Sequence, residues 1–436
     1  MTEIYIIVVF LFVLFTLLGT GVWVGLALMG VAMFALEVFA SGPTGDRMAT
    51  AIWAASSSWT LTALPLFIWM GEILYRTRLS EDMFRGLSPW MAKLPGGLVH
   101  TNIVGCTVFA AVSGSSAATL TTVGKMSIPE LTKRNYPEHL IIGSLAGAAT
   151  LGLMIPPSLV LIVFGVTLNI SITKLFFAGI VPGLVLASMF MAYVAIYATL
   201  SKNWAPLKDP VMSFAEKLAN SRFLLPVFAL ILVVIGSMYL GFATATEAAA
   251  FGVIGALVLA LGQGSLNWKS FSESLMGATR TSAMIALILA GAAFLSLAMG
   301  FTGLPRALAD GIAAMELTRF ELLMVLLVFY IVLGMFLDGI SSVVLTMAVV
   351  EPMVREAGID MIWFGIFIVV VVEMAQITPP IGFNLFVLQG MTDHEMGYIA
   401  RAAIPMFLIM VVMVFVLIAF PELATWLPDN IRQSPR

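Results

Sequence analysis

Ser113-Gly114-Ser115-Ser116-Ala117-Ala118-Thr119-Leu120-Thr121-Thr122 stands in the middle of 94–124, a stretch that holds no Asp, Glu, Lys or Arg. A straight helix over those ~31 residues would run roughly 47 Å, against about 30 Å of bilayer hydrocarbon. Folded at its Ser/Gly centre, each limb reaches about the membrane middle. Non-helical backbone survives at that depth only when it is buried in protein or lines a cavity. The stretch therefore reads as a re-entrant helical hairpin. A second apolar segment, 320–353, has Asp338-Gly339-Ile340-Ser341-Ser342 at its centre and reads the same way. With their flanks, the hairpins take 94–130 and 320–356.

The composition around them agrees with a membrane setting. Of 436 residues, 61% are hydrophobic and 10% charged, with a mean hydropathy of +1.05. Soluble domains run near 45–50% apolar and about 25% charged, so a soluble enzyme, a disordered chain and a disulfide scaffold are excluded. The net charge of −3 and the lack of a basic tract speak against nucleic acid as a partner. Cys106 is the one cysteine, so no intramolecular disulfide forms, and His100, His139 and His394 share no metal-ligand spacing. No His-Glu-x-x-His, Walker loop, Gly-x-Ser-x-Gly or Cys/His cluster is present. Neither an enzyme, nor a cofactor, nor an ATP-driven pump is expected.

The remaining apolar runs predict an all-α polytopic membrane protein of about ten spans: 4–19, 21–36, 52–71, 140–166, 175–200, 223–242, 248–262, 281–300, 362–390 and 402–420. The acidic start at Met1 to Glu3 and the uninterrupted run after it read as a retained helix, not a cleavable signal. With both hairpins re-entrant, 14 of the 21 Lys and Arg fall on one side, which the positive-inside rule makes cytoplasmic, leaving both termini outside.

The chain also matches itself at an offset of about 223–225. Val112-Ser113-Gly114-Ser115-Ser116 lies over Leu337-Asp338-Gly339-Ile340-Ser341, and Ile155-Pro156-Pro157 over Thr378-Pro379-Pro380. Each half reads as three spans, a lateral amphipathic helix (76–93, then 303–319), a hairpin, a broken span (140–166, then 362–390) and a last span. The halves cover 1–200 and 223–421, joined by a cytoplasmic linker at 201–222 and followed by a tail at 422–436. Each half has an odd number of crossings, so the second copy is inverted. Inverted repeats with broken helices meeting near the midplane are the mark of a secondary transporter. The lateral helices suit connections that let a transport body slide, with Gly86 and Gly303 as candidate hinges.

Hydroxyls and permissive backbone at Ser113–Ser116 offer hard oxygens for sodium; equally, small residues there let helices approach. In Gly152-Leu153-Met154-Ile155-Pro156-Pro157, two prolines remove helix donors and free the carbonyls near Gly152 and Leu153. A bound cation satisfies them; so does a kinked helix with a water. The same alternatives hold for Gln376-Ile377-Thr378-Pro379-Pro380. Asp338 reads as a second-site ligand, a substrate contact or a helix N-cap. Glu247, three residues after Thr244, has capping-box spacing and reads as a helix start. Glu72 and Glu373 face either the interior or a subunit contact.

At this point the residues resemble a known family. Phe109-Ala110-Ala111-Val112-Ser113-Gly114-Ser115-Ser116-Ala117, Ile128-Pro129-Glu130-Leu131, Ile155-Pro156-Pro157-Ser158, Leu175 to Gly183, Thr244 to Ala250 and Ile377-Thr378-Pro379-Pro380-Ile381-Gly382 are similar to the large membrane subunit of tripartite ATP-independent periplasmic (TRAP) transporters. The resemblance implies an elevator-type, sodium-coupled importer of organic acids in the inner membrane of bacteria or archaea. It implies two partners, a small four-helix membrane subunit and a periplasmic substrate-binding protein. Carried onto matching positions, one sodium site is Ser113, Ser115, Ser116, Gly152, Ile155 and Pro157. The second is Gly339, Ser341, Ser342, Thr378 and Pro380, with Ile340 departing from the pattern of the first repeat. The substrate would lie between the tips, near Ser113, Ser116, Asp338 and Thr378. The alternative is a stand-alone sodium/dicarboxylate symporter of related elevator fold, needing no receptor.

Overall fold

The computed structural model describes residues 2–40, 42–201, 206, 212–302, 317–380 and 382–430. Among the described residues every regular element is helical. The first half contains α1 (Thr2–Gly19), α2 (Val24–Phe39), α3 (Thr44–Ser56), α4 (Ala63–Tyr75), α5 (Leu79–Met91), α6 (Val99–Ser113), α7 (Ser116–Lys133), α8 (Glu138–Ala149), α9 (Leu151–Met154), α10 (Leu159–Leu168) and α11 (Ile172–Leu200). The linker holds α12 (Phe214–Ser221). The second half contains α13 (Leu225–Tyr239), α14 (Ala245–Gly262), α15 (Trp268–Thr302), α16 (Arg319–Gly334), α17 (Gly339–Glu356), α18 (Met361–Gln376), α19 (Phe383–Met391) and α20 (Met396–Ala419), before the short α21 (Glu422–Asp429).

Six helical stretches among the described residues are long and apolar enough to cross a membrane, and a bent pair makes a seventh. The ten spans read from the sequence thus do not map one-to-one onto long helices, because several are built from short or broken pieces. One expectation is corrected outright. The run 52–71 is not a straight span: Thr44–Ser56 and Trp59–Tyr75 meet at 56°. The break falls at Ser57 and Ser58, between the end of α3 and the turn that leads into α4, and not at Pro65. Pro65 is tolerated three residues into α4, where no helical donor is required.

Helix starts follow local chemistry. Thr244 and Glu247 form the expected capping box on α14, and Ser213/Glu216 and Thr318/Glu321 do the same for α12 and α16. Asn267 and Ser270 bond reciprocally, each side chain accepting the other's backbone N–H at 2.9 Å, which starts α15 well before the apolar run at 281. The lateral stretch 76–93 contains α5, whose Leu79, Met83 and Leu87 are buried on one face. Gly86 is not a hinge: it lies inside α5, where an added Cβ would come 2.6 Å from Leu224 Cγ. Most of the second lateral stretch, 303–319, lies outside the described residues, as does the end of the tail.

Two groups of helices emerge from the packing. One joins α2, α3 and α4 with α13, α14 and α15. The other joins the limb pairs α6–α7 and α16–α17 with the broken spans α8–α10 and α18–α19. The last span of each half, α11 and α20, packs chiefly on the second group, though α11 also sets Phe176 edge-on to Phe67 of α4 and Phe177 edge-on to Tyr239 of α13, each at 5.8 Å. Small residues set these distances, as they must where lipid gives no hydrophobic drive for helix association. An added Cβ at Gly143 of α8 would strike the Ala402 carbonyl oxygen of α20, and one at Gly291 of α15 would strike the Gly25 carbonyl oxygen of α2.

Helix propensity alone makes Ala better than Gly by roughly 1 kcal/mol inside a helix. Gly143→Ala should nevertheless lower the thermal unfolding temperature of the purified chain in detergent, because the methyl group forces α8 and α20 apart. Gly45→Ala, where nothing lies within 4 Å of the new Cβ, should leave it equal or higher. Equal melting of the two variants would refute the close-contact account.

Candidate cation and substrate site

The first hairpin turns over two residues. Gly114 ends α6 with φ +64°, a left-handed conformation that a side chain would strain. Ser115 is extended and caps α7, its Oγ accepting from the Ala118 N–H at 3.4 Å. The tip is seated on the break of the first broken span. The Gly114 carbonyl accepts from the Leu159 N–H at 3.3 Å. A Cβ on Gly114 would meet the Pro157 carbonyl oxygen at 2.6 Å, and one on Gly152 would meet the Ser115 carbonyl oxygen at 2.7 Å. The backbones of two different segments therefore meet here, with no side chain between them.

The proline pair shapes the other wall. Both Pro156–Pro157 and Pro379–Pro380 are cis. Ile155 bonds back to the Leu151 carbonyl at 2.9 Å and is the last residue to do so. Pro156 and Pro157 have no N–H to give the Gly152 and Leu153 carbonyls. Ser158 then restarts the helix as the cap of α10, accepting from the Leu161 N–H at 3.3 Å. Of the first predicted set, Ser113, Ser115, Gly152 and Pro157 converge here. Ile155 supplies backbone to the same bend, while its side chain lies against Gly183 of α11. Ser116 lies at the same junction, its Cα 2.8 Å from an added Cβ on Gly152, while its hydroxyl donates to Glu373 Oε1 at 2.7 Å, a bond that spans the two repeats. Ser113 Oγ shares a hydrogen bond with Thr119 Oγ1 at 2.7 Å.

The second predicted set is gathered less completely. Asp338 caps α17, its Oδ2 accepting from the N–H groups of Ile340 (3.1 Å) and Ser341 (3.2 Å), while the Ser341 hydroxyl donates to Oδ1. A Cβ on Gly339 would come 2.8 Å from Val372 Cγ1, and Ser342 is fully buried with no partner for its hydroxyl. Thr378 is occupied locally, donating to the Met374 carbonyl at 2.7 Å. Among the described residues no hydrogen bond joins Asp338–Ser342 to Thr378 or Pro380. Pro379 and Pro380 are exposed, whereas Pro156 and Pro157 are buried.

Two cavities lead to the first tip. The inner one, about 280 Å³, lies between Ser113, Ser115 and Thr121 of the hairpin and Glu72 and Thr281 of α4 and α15. The outer one, about 610 Å³, shares Tyr75 with it and carries Arg76, Lys125 and Lys269. Those cations belong to the side assigned to the cytoplasm from the charge distribution. Glu72 faces the interior: it pairs with Arg76 and lies over Gly277 of α15. Of the four residues named for the substrate, Ser113 alone lines the inner cavity. Thr281 and the buried, unpartnered Asn384 carried no motif and were missed, an amide inside an otherwise apolar run being the available signal, whereas Gln376, whose Nε2 is buried without an acceptor, was named only as the first residue of its proline motif.

Re-entrant hairpins seated on proline-broken spans, with a polar cavity ending at a hairpin tip, define a secondary transporter. Comparison with known proteins gives the family. Residues 9–423 match the DctM component of the tripartite ATP-independent periplasmic transporters, and the chain belongs to that family. It is 30% identical to the C4-dicarboxylate TRAP transporter large permease protein DctM of Pseudomonas aeruginosa, over 92% of this chain and 93% of that protein. It is 31% identical to the ectoine/5-hydroxyectoine large permease protein UehC of Ruegeria pomeroyi, over 85% and 86%. The isethionate permease protein DctMQ of Oleidesulfovibrio alaskensis matches at 29%, over 94% of this chain and 64% of that protein. In fold it is similar to the YdaH transporter of Alcanivorax borkumensis, with a TM-score of 0.62 at 15% identity, covering 93% of this chain and 97% of that one.

The cavities make a direct prediction. Ala118 lines the inner one, whereas Ala149 is fully buried. In intact cells and inverted vesicles, Ala118→Cys should react with a membrane-impermeant thiol reagent applied from the side of Arg76 and Lys125, and Ala149→Cys should not. Buried Cys106 should stay silent in both. Labelling of Ala118→Cys from the opposite side alone would reverse the assignment of the opening.

Proposed function

We propose that this chain is the large permease subunit of a sodium-coupled importer of an organic acid in a prokaryotic inner membrane. A periplasmic binding protein delivers the acid, and a small four-helix membrane subunit holds the scaffold. The observation that carries the sodium reading is the seating of the Ser115 tip on Gly152 and Pro157, which collects carbonyl and hydroxyl oxygens. Such neutral oxygens suit a hard monovalent cation. The C4-dicarboxylate specificity in one relative's name, and the ectoine specificity in another's, support a small carboxylate as cargo. The name DctMQ, and the third of that relative that lies outside the match, support a second membrane component.

The residues divide the work as follows. Ser113, Ser115 and the backbone of Gly152 and Pro157 hold the first cation. Ser341, Ser342 and the Gly339 backbone hold a second once Thr378 and Pro380 close on them. Substrate enters between the tips and leaves through the cavities beside Tyr75, past Arg76, Lys125 and Lys269. The moving body consists of the hairpins and broken spans together with α11 and α20, which pack on them; α2–α4 and α13–α15 stay fixed.

Reconstitution tests the whole reading. Proteoliposomes containing this chain and its small subunit should take up a carboxylate only with an inward sodium gradient and the loaded binding protein. Uptake without the receptor would favour the stand-alone symporter. Within that assay, Ser115→Ala and Ser115→Gly should both raise the half-saturating sodium several-fold. The pair separates ligation from capping, because Gly replaces a helix cap at a cost of only a few tenths of a kcal/mol, whereas Ala costs about 1. An unchanged sodium requirement in both removes the hydroxyl from the site.

Motion has its own test. Gly71 of α4 lies against the tip, its added Cβ 3.0 Å from the Ser113 carbonyl oxygen. Cysteine pairs between α4 and α7 should crosslink when the cavity faces the Lys125 side and fail to do so in the opposite state, with crosslinking stopping transport reversibly. Pairs that crosslink in every condition without loss of uptake would replace the sliding body with a gated pore.

A further inference from the structure

The two repeats differ in one respect that bears on charge. At the offset of 225, Asp338 of the second repeat replaces Ser113 of the first; at 223, Glu373 replaces Thr150. Both acidic side chains at these matched positions thus belong to the second repeat. Asp338 stays with its own tip, where it caps α17. Glu373 does not. It is 1% exposed, and its Oε1 accepts from Ser116, the first residue of α7 in the other repeat.

Its second oxygen is the unusual feature. Glu373 Oε2 is buried without any donor, and Gln376 Nε2, one turn along the same helix, is buried without an acceptor. Among the described residues no Lys, Arg or His pairs with Glu373. The Asn384 side chain is fully buried, with both amide atoms unpartnered. A buried carboxylate with one hydroxyl as its sole donor is costly, and a positive charge nearby removes most of that cost.

The first tip presents the complementary problem. Its oxygens, from Ser113, Ser115, Gly152 and Pro157, are all neutral, and the carboxylate of the same repeat that lines the cavity beside it, Glu72, is already paired with Arg76. We propose that Glu373 is the counter-charge for a cation held there, contributed by the second repeat and acting through Ser116. Ser116, whose Cα lies against Gly152 at the tip, spends its hydroxyl proton on the carboxylate, which sets the Glu373 charge beside the cation's oxygens. Cation binding at the first repeat then stabilises the contact with the second, so a loaded tip holds the two hairpin–broken-span units together. Glu373 is a positioning residue in this scheme, because a hydroxyl sets its charge beside the cation's oxygens. The assignment rests on the sodium reading given above.

The test reads binding without transport. The purified chain with its small subunit is melted across a sodium chloride series, with choline chloride holding ionic strength. Sodium should raise the wild-type melting temperature by mass action. Glu373→Gln keeps the shape and the acceptor for Ser116 but not the charge; it should need at least tenfold more sodium for the same rise. Glu373→Asp keeps the charge on a shorter arm and should fall between the two. A Glu373→Gln chain with the wild-type sodium requirement overturns the assignment alone. Should that variant not fold, a wild-type requirement in Glu373→Asp overturns it equally. Wild-type melting that is identical in sodium and choline overturns the sodium reading and this assignment together.

Discussion

Everything distinctive in this molecule follows from the need to bond backbone polar groups where water is absent. In hydrocarbon each unsatisfied peptide group costs several kcal/mol. A chain that breaks its helices at mid-depth must therefore bring the broken ends to one another. The bond from the Leu159 N–H to the Gly114 carbonyl is the local form of that requirement, joining the hairpin tip to the proline break. Glycine at 114 and 152 lets the backbones touch, and Ser115 and Ser158 cap the helices that leave the bend. Oxygens that satisfy this constraint only in part are the ones available to a ligand.

The two helix groups give that local arrangement its context. The first group is stitched by α2 against α15, with the Arg76–Glu273 pair of 3.9 Å and the Trp69–Ser274 hydrogen bond of 3.3 Å between α4 and α15. The other group carries both proline breaks. The two groups touch along α4 against α6 and α10 and along α15 against α17, and the cavity opens beside the close approach of Gly71 to Ser113. A polar cleft at the boundary of two packed bodies is where relative motion can expose a site to one side and then to the other.

Much of this was legible from residues. The Ser/Gly tip, the two Pro–Pro breaks and their common offset located both hairpins and both broken spans, because glycine, serine and proline act on the backbone within a few residues. The capping role of Asp338 and of Glu247 was readable for the same reason. Ser56-Ser57-Ser58 was in plain view, yet 52–71 reads as one span when hydropathy is averaged; the bend is local chemistry that averaging erases. The bond from Ser116 to Glu373 crosses 257 positions, and no short-range pattern encodes it. Nor does sequence show that α11 and α20 pack with the broken spans, since that depends on which glycine faces which carbonyl. Thr378 adds what its matched position does not show: its hydroxyl proton goes to the Met374 carbonyl just upstream.

The unequal surroundings of the proline pairs have a wider consequence. Pro156 and Pro157 are buried while Pro379 and Pro380 are exposed, although the two bends have the same make-up. In an upside-down duplicate, turning the molecule over exchanges the two halves, so a perfectly repeated sequence would rest in either orientation with equal free energy. Any resting preference must then come from positions where the copies have drifted apart, such as Thr150 against Glu373 and Ser113 against Asp338. Divergence between the halves is thus the thermodynamic bias of the machine, and each mutation that restores symmetry moves the balance point toward a protein with no preferred side.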